Sequence, residues 1–272
     1  MQASRTTTLL SRTPLLLAAG IASAAFAGVA FASHSWGSYH WARTANPFTL
    51  KLGGNVTAAW DSYLSTTSAD WSLSSVLDTI IVAGQGRKNC RATAGRVEVC
   101  NAKYGNNGWL GIAQIWAIGS HITQGTVKLN DTYFNTATYN TPAWRNLVTC
   151  QEVGHTFGLN HQDEDFSNLP LGTCMDYSNN PNPNQHPNTH DYEQLELIYA
   201  HLDTTTTVGA SVSGASSTEE GEDRNEPKQW GKLIRGSAEK GVALYELNLG
   251  NGKTIFTHVI WADGEPRGNR GE

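Results

Sequence analysis

Apolar residues recur along the chain with two different spacings, which predict a mixture of strands and helices. Short apolar runs bounded by glycine and polar residues predict strands at 48–52, 76–82, 95–100, 108–116 and 125–130. Apolar residues at helical spacing predict helices over 55–63, from Pro142 onward and over 191–202. Two later runs, 242–249 and 254–261, flank Gly-Asn-Gly and predict a β-hairpin.

The first 32 residues have the pattern of a secretory signal peptide. Two arginines and no acidic residue precede an apolar run over 15–32. Small residues at 30 and 32 form an A-x-A cleavage site, with 25–27 as an earlier alternative. An uncleaved membrane anchor is the other interpretation, since a spanning helix needs about 20 apolar residues. Because alanine and glycine make this run only weakly hydrophobic, we expect cleavage and secretion.

Composition supports an exported globular protein. Of the 272 residues, 39% are hydrophobic, which excludes a wholly disordered chain, and only 16% are charged. The net charge is −5, with no basic stripe, so we expect no binding to nucleic acid. An even number of cysteines in an exported chain predicts two disulfides. Pairing of nearest neighbours gives Cys90–Cys100 and Cys150–Cys174.

A change of composition after Asp203 predicts a linker. Residues 204–217 are mostly Thr, Ser, Gly and Ala, and 218–225 are acidic. Such segments are flexible because they cannot bury enough apolar surface. The sequence therefore predicts a domain over 33–203, a flexible linker over 204–227 and a tail over 228–272 that contains the hairpin.

Candidate chemistry is concentrated in one short segment, Cys150-Gln-Glu-Val-Gly-His-Thr-Phe-Gly-Leu-Asn-His161. On a helix, residues 151 and 155 lie four apart and share one face. The carboxylate of Glu152 can reach a metal-bound water without itself binding the metal. Gly158 can adopt a positive φ and end the helix, so that His161 returns to the same side.

The pattern E-x-x-H-x-x-G-x-x-H, followed by Cys-Met-Asp-Tyr at 174–177, resembles the metzincin zinc metallopeptidases. The layout is most similar to the matrixin-like branch, and the resemblance covers roughly 40–203. It implies an α+β fold in which a twisted, mixed sheet packs on two long helices, with zinc in a cleft. In this fold the strand over 110–116 would be an edge strand that pairs with an extended peptide substrate.

Site residues follow from the resemblance position by position. It implies zinc bound by Gln151, His155 and His161, a general base at Glu152, a tyrosine near the zinc or the oxyanion at Tyr177, and an apolar floor beneath the metal at Met175. One departure is that Gln151 stands where the family has a histidine. An amide oxygen is a weaker zinc ligand than an imidazole, so we expect weaker zinc binding. The remaining histidines His121, His186, His190 and His201 have no ligand spacing to one another and are expected at the surface.

Three functions agree with this sequence. The leading prediction is a secreted, monomeric, zinc-dependent endopeptidase that acts on extended peptides or proteins and has no membrane contact after signal cleavage. The alternative is a peptide-binding pseudoenzyme of the same fold, because Gln151 weakens the metal site. A third class is an exported structural or cell-surface protein in which the C-terminal hairpin is the functional part.

Overall fold

A computed structural model describes residues 1–2, 34–86, 90–165, 168–209 and 224–262 of the chain. Nearly all of the predicted signal peptide, and the part of the predicted linker over 210–223, lie outside these ranges. Among the described residues, no helix has both the length and the apolar character needed to cross a membrane.

A mixed sheet of nine strands organises the fold. The strands are β1 (His40–Trp41), β2 (Phe48–Asn55), β3 (Leu77–Ala83), β4 (Val97–Ala102), β5 (Trp109–Ile118), β6 (His121–Asn130), β7 (Lys232–Ser237), β8 (Val242–Gly250) and β9 (Lys253–Trp261). Their order is β3-β2-β4-β6-β5-β9-β8-β7, and β1 pairs separately with β6. Pairs among β1, β2, β3, β4 and β6 are parallel, whereas every pair from β6–β5 to β8–β7 is antiparallel.

In the described ranges four α-helices accompany the sheet, and together they give the α+β fold that we expected. They are α1 (Asp61–Trp71), α2 (Asp131–Phe134), α3 (Pro142–His155) and α4 (Thr189–Ile198). Helix α3 begins as the sequence predicts, with Pro142 in its first turn and the Thr141 hydroxyl accepting a hydrogen bond from the N–H of Trp144. Helix α4 begins with a capping box formed by Asn188 and Asp191.

One predicted helix is wrong. Asn55 is the last residue of β2 and α1 begins only at Asp61, so the predicted helix over 55–63 overlaps the observed helix at its last three residues alone. The side chain of Asn55 does not cap a helix. It donates to the Glu98 carboxylate at 2.6 Å and accepts from the N–H of Gly86 at 2.7 Å. These contacts with other segments outweigh the local helical spacing.

Both predicted disulfides are confirmed. Cys90 pairs with Cys100, and Cys150 pairs with Cys174, each across a Cα–Cα distance of 5.9 Å. The second bond joins α3 to the loop that carries Met175. It therefore fixes two elements of the predicted site to each other.

The C-terminal strands correct the expectation that β5 lies at an edge. The predicted hairpin forms as β8 and β9, and β9 pairs antiparallel with β5 from Trp109↔Trp261 to Ile118↔Lys253. An apolar face explains this docking, because Trp109, Val259 and Trp261 pack with Trp230 in a second buried cluster. Strand β7 adds a third strand on the far side, so the predicted tail continues the central sheet.

Candidate functional site

Helix α3 and the turn after it place the predicted site residues inside the molecule. Gln151, Glu152 and His155 are all buried on α3. Gly158 has φ +99°, and a Cβ there would lie 2.4 Å from the carbonyl oxygen of Tyr39, so only glycine fits. The turn returns His161, whose Nε2 lies 3.1 Å from the Nε2 of His155. We call Gln151, Glu152, His155, His161 and Tyr177 the α3 site.

His155 and His161 are arranged as two ligands of one metal ion. The Nδ1–H of His155 donates to the carbonyl oxygen of Leu159 at 2.8 Å, which leaves the Nε2 lone pair free for a metal. Two nitrogens bound at about 2.0 Å to a tetrahedral zinc lie about 3.3 Å apart, close to the observed 3.1 Å. Burial lowers the pKa of His155 to about 4 and the pKa of His161 well below its usual range. Both imidazoles are therefore held in the neutral form that binds metals.

Glu152 is fully buried where α3 meets the sheet. Burial raises the pKa of its carboxyl well above the usual range, and the nearby backbone of Ala113 on β5 and Ile260 on β9 opposes this effect less strongly. Within the described part of the chain, neither carboxyl oxygen of Glu152 makes a hydrogen bond. Strand β5 approaches the helix closely here, because a Cβ at Gly111 would lie 2.6 Å from Val148 and 3.0 Å from Glu152. The carboxyl of Glu152 therefore faces the junction of β5 and β9.

Gln151 and Tyr177 line a small cavity of about 20 Å³, which has room for about one water molecule. The Nε2 of Gln151 has no hydrogen-bond partner within the described part of the chain. The Tyr177 ring lies 4.0 Å from the His161 ring, and burial raises the pKa of its phenol, which stays protonated. Met175 is fully buried against α3, since its sulfur would lie 2.7 Å from a Cβ at Gly154. Ligation by Gln151 remains a prediction.

Strand β9 contributes a residue that the sequence motif does not contain. The His258 ring stacks on the His155 ring, with centroids 4.0 Å apart and planes 14° apart. Burial lowers the pKa of His258 well below its usual range, and His155 lowers it further. His258 could not be predicted from the motif, because it lies about a hundred residues further along the chain, in a strand predicted to belong to a separate tail.

A second group of ligand-type side chains lies elsewhere. Among the described residues, the set His40, His201 and Asp203 brings its ligand atoms within 4.8 Å of one another and could hold a metal ion. His121 also points at Asp203, with its Nε2 3.3 Å from Oδ1. We call these four residues the Asp203 cluster. His121 and His201 are partly exposed, as expected, but the expectation that they are unrelated surface histidines is wrong.

Comparison with protein-family models and with curated proteins finds no match to this chain. The function is therefore inferred from the residues and their geometry.

Proposed function

We propose that the chain is a secreted zinc-dependent endopeptidase that its own C-terminal strands hold in a latent state. The observation that carries this proposal is the course of β9 across the α3 site. The backbone of Ile260 acts on the Glu152 carboxyl, whose pKa it lowers, and the His258 ring stacks on the His155 ring. An extended peptide that paired with β5 would have to take the place of β9.

The donor set supports a zinc ion at the α3 site. His155 and His161 would hold it, with the amide oxygen of Gln151 as the predicted third ligand. When bound, zinc supplies a Lewis acid that polarises the substrate carbonyl and acidifies water. Zinc binding at the α3 site does not depend on Glu152, whose carboxyl is left free for proton transfer.

Glu152 and Tyr177 supply complementary proton chemistry. The carboxylate of Glu152 would accept a proton from the attacking water and pass it to the amine nitrogen of the leaving group. Its raised pKa suits both halves of this transfer, since a strongly acidic group would not accept the proton. The phenol of Tyr177 stays protonated, so it can donate a hydrogen bond to the oxyanion that forms at the carbonyl.

The sheet supplies the substrate path. Strand β5 runs beside α3, and its Ala113 lies opposite His258 of β9 in the ladder. A substrate strand in the position of β9 would lie beside β5 and place a peptide bond close to the Glu152 carboxyl. Secretion is supported by the predicted signal peptide and by two disulfides, which persist in oxidising compartments.

The test is to weaken the docking of β9 without removing it. Thr257 lies in the middle of β9, between Gln114 of β5 and Tyr245 of β8. Thr257→Pro removes a ladder hydrogen bond and leaves the partner carbonyl buried without a donor, which should cost about 2–3 kcal/mol. That cost would raise the open fraction, and with it the zinc-dependent hydrolysis of an unstructured peptide, roughly a hundredfold.

The matched control is Ile234→Pro in β7, the outer strand of the same C-terminal segment. Ile234 is exposed, and β7 pairs with β8 rather than with β5, so this change should leave hydrolysis at the wild-type level. Thermal unfolding of both variants would verify that they remain folded. A folded Thr257→Pro variant that binds peptide but does not hydrolyse it would contradict the peptidase and favour the pseudoenzyme.

A further inference from the structure

The Asp203 cluster brings together three histidines from distant parts of the chain. His40 lies on β1, His121 is the first residue of β6, and His201 follows α4. The Nε2 atoms of these three residues lie 3.4, 3.3 and 3.7 Å from Oδ1 of Asp203, respectively. The Nε2 atoms of His40 and His201 are 3.1 Å apart. One carboxylate oxygen is therefore surrounded by three imidazole nitrogens.

The hydrogen bonds around the cluster point to a cation at its centre. The Nδ1–H of His40 donates to the carbonyl oxygen of Ser38 at 2.7 Å, so a neutral His40 directs an Nε2 lone pair at Asp203. That lone pair and Oδ1 are both acceptors, and they repel each other unless a positive charge lies between them. The other carboxylate oxygen, Oδ2, is already used by the backbone N–H and the guanidinium of Arg43, at 3.1 and 2.9 Å.

The separations match ligands of one zinc ion. Ligands at about 2.0–2.1 Å in a tetrahedron lie about 3.3 Å from one another. The ligand atoms of His40, His201 and Asp203 are 3.1–3.7 Å apart, and the Nε2 of His121 lies 3.3 Å from the same Asp203 oxygen. Three imidazoles and one carboxylate form a donor set that zinc accepts, and four protein ligands leave no open position for a substrate. The contacts of His40 with Ser38 and of Asp203 with Arg43 orient the ligands from behind, as around bound metals.

We propose that His40, His121, His201 and Asp203 form a structural zinc site that joins β1, the start of β6 and the segment after α4. Trp41, the residue after His40, would be held in place by this zinc site. The Trp41 indole donates to the carbonyl oxygen of Thr156, at the end of α3, at 2.9 Å. Zinc at the Asp203 cluster would therefore hold the N-terminal segment against the end of the helix that carries the α3 site.

The test isolates the cluster by disabling the α3 site in the full mature chain. A His161→Ala variant should still bind one equivalent of Co²⁺ with the intense visible bands of a tetrahedral site, and Zn²⁺ should displace it. Adding His121→Ala or His201→Ala should weaken this binding at least tenfold. Both side chains are partly exposed, at 37% and 53%, so their loss should not disturb the core. Adding His186→Ala is the control, because the His186 side chain has a similar exposure of 56% and pairs with Asp70, outside the cluster.

Metal content and stability give a second measurement in the unmutated α3 background. Zinc should raise the unfolding temperature of His186→Ala as it does that of the wild type, and His201→Ala should lose one equivalent of zinc and part of this increase. The proposal is overturned if His201→Ala and His121→Ala keep the metal content and the zinc-dependent stability of the wild type. It is also overturned if His161→Ala folds but binds no metal. That result would mean that a proton on the Nε2 of His40, rather than a metal ion, lies between His40 and Asp203. Neither result depends on peptidase activity.

Discussion

The two histidine groups of this protein are built in opposite ways. The ligands of the α3 site come from one short segment of the chain, and they are buried beneath β9. The Asp203 cluster is assembled from three distant segments and opens to solvent at His121 and His201. The α3 site therefore has a recognisable sequence motif but is closed by its own chain, whereas the Asp203 cluster has no motif but is open to a metal ion.

The two histidine groups also differ in the charge state that their surroundings favour. Burial lowers the pKa values of His155 and His161 and raises the pKa of Glu152, so the α3 site favours neutral side chains. At Asp203 burial also acts to raise the pKa, but the hydrogen bond from the backbone N–H of Arg43 and the neighbouring imidazoles of His40 and His121 together outweigh it and lower the pKa. The Asp203 cluster thus keeps a charged ligand ready for a cation, and the α3 site stays uncharged while β9 covers it.

The largest expected effect concerns Glu152. In the Thr257→Pro background, Glu152→Gln should reduce peptide hydrolysis by a factor of about 10²–10⁴, the usual contribution of a general base. Stability should change little, because glutamine has the shape of the protonated carboxyl that burial favours. Glu193→Gln, at an exposed position of α4, is the control. Hydrolysis that survives Glu152→Gln would place the chemistry elsewhere in the molecule.

The sequence predicts the features that have a local signal and does not predict those that depend on distant segments meeting. Strands β2 to β6, helices α3 and α4, both disulfides and the turn at Gly158 could be predicted because each has a local signal. The role of β9 could not, since hydrophobic spacing identifies a strand but not the strand with which it pairs. The convergence of His40, His121 and His201 could not be predicted either, because it depends on the pairing of β1 with β6 and on where α4 ends.

A smaller effect should follow removal of the bond that anchors the α3 site. Cys150→Ser combined with Cys174→Ser opens a loop with a sequence separation of 24 residues. It should lower the free energy of unfolding by about 3 kcal/mol in urea titrations. The shorter Cys90–Cys100 loop, with a separation of 10, is the control, and its removal should cost somewhat less. A larger loss in the control would show that the Cys150–Cys174 bond does not anchor the α3 site.

The smallest predicted change concerns the departure from the family pattern at Gln151. Gln151→His should tighten zinc binding at the α3 site at least tenfold, or about 1.4 kcal/mol, because imidazole is the better zinc ligand. The imidazole would take the place of the Gln151 amide, which has a similar reach. Titration in a His201→Ala background would follow the α3 site alone, with Gln185→His as the control. Unchanged affinity would mean that residue 151 does not face the metal.

We infer that β9 occupies the position of a substrate. A peptide with the sequence of β9 should therefore compete with the substrate for this position. A synthetic peptide with the sequence of Lys253–Trp261 is added to the Thr257→Pro variant during hydrolysis of an unstructured substrate. We expect competitive inhibition, with a raised KM and an unchanged kcat, and no inhibition by a peptide of scrambled sequence. An active variant that the Lys253–Trp261 peptide does not inhibit, or inhibits without raising KM, would contradict the claim.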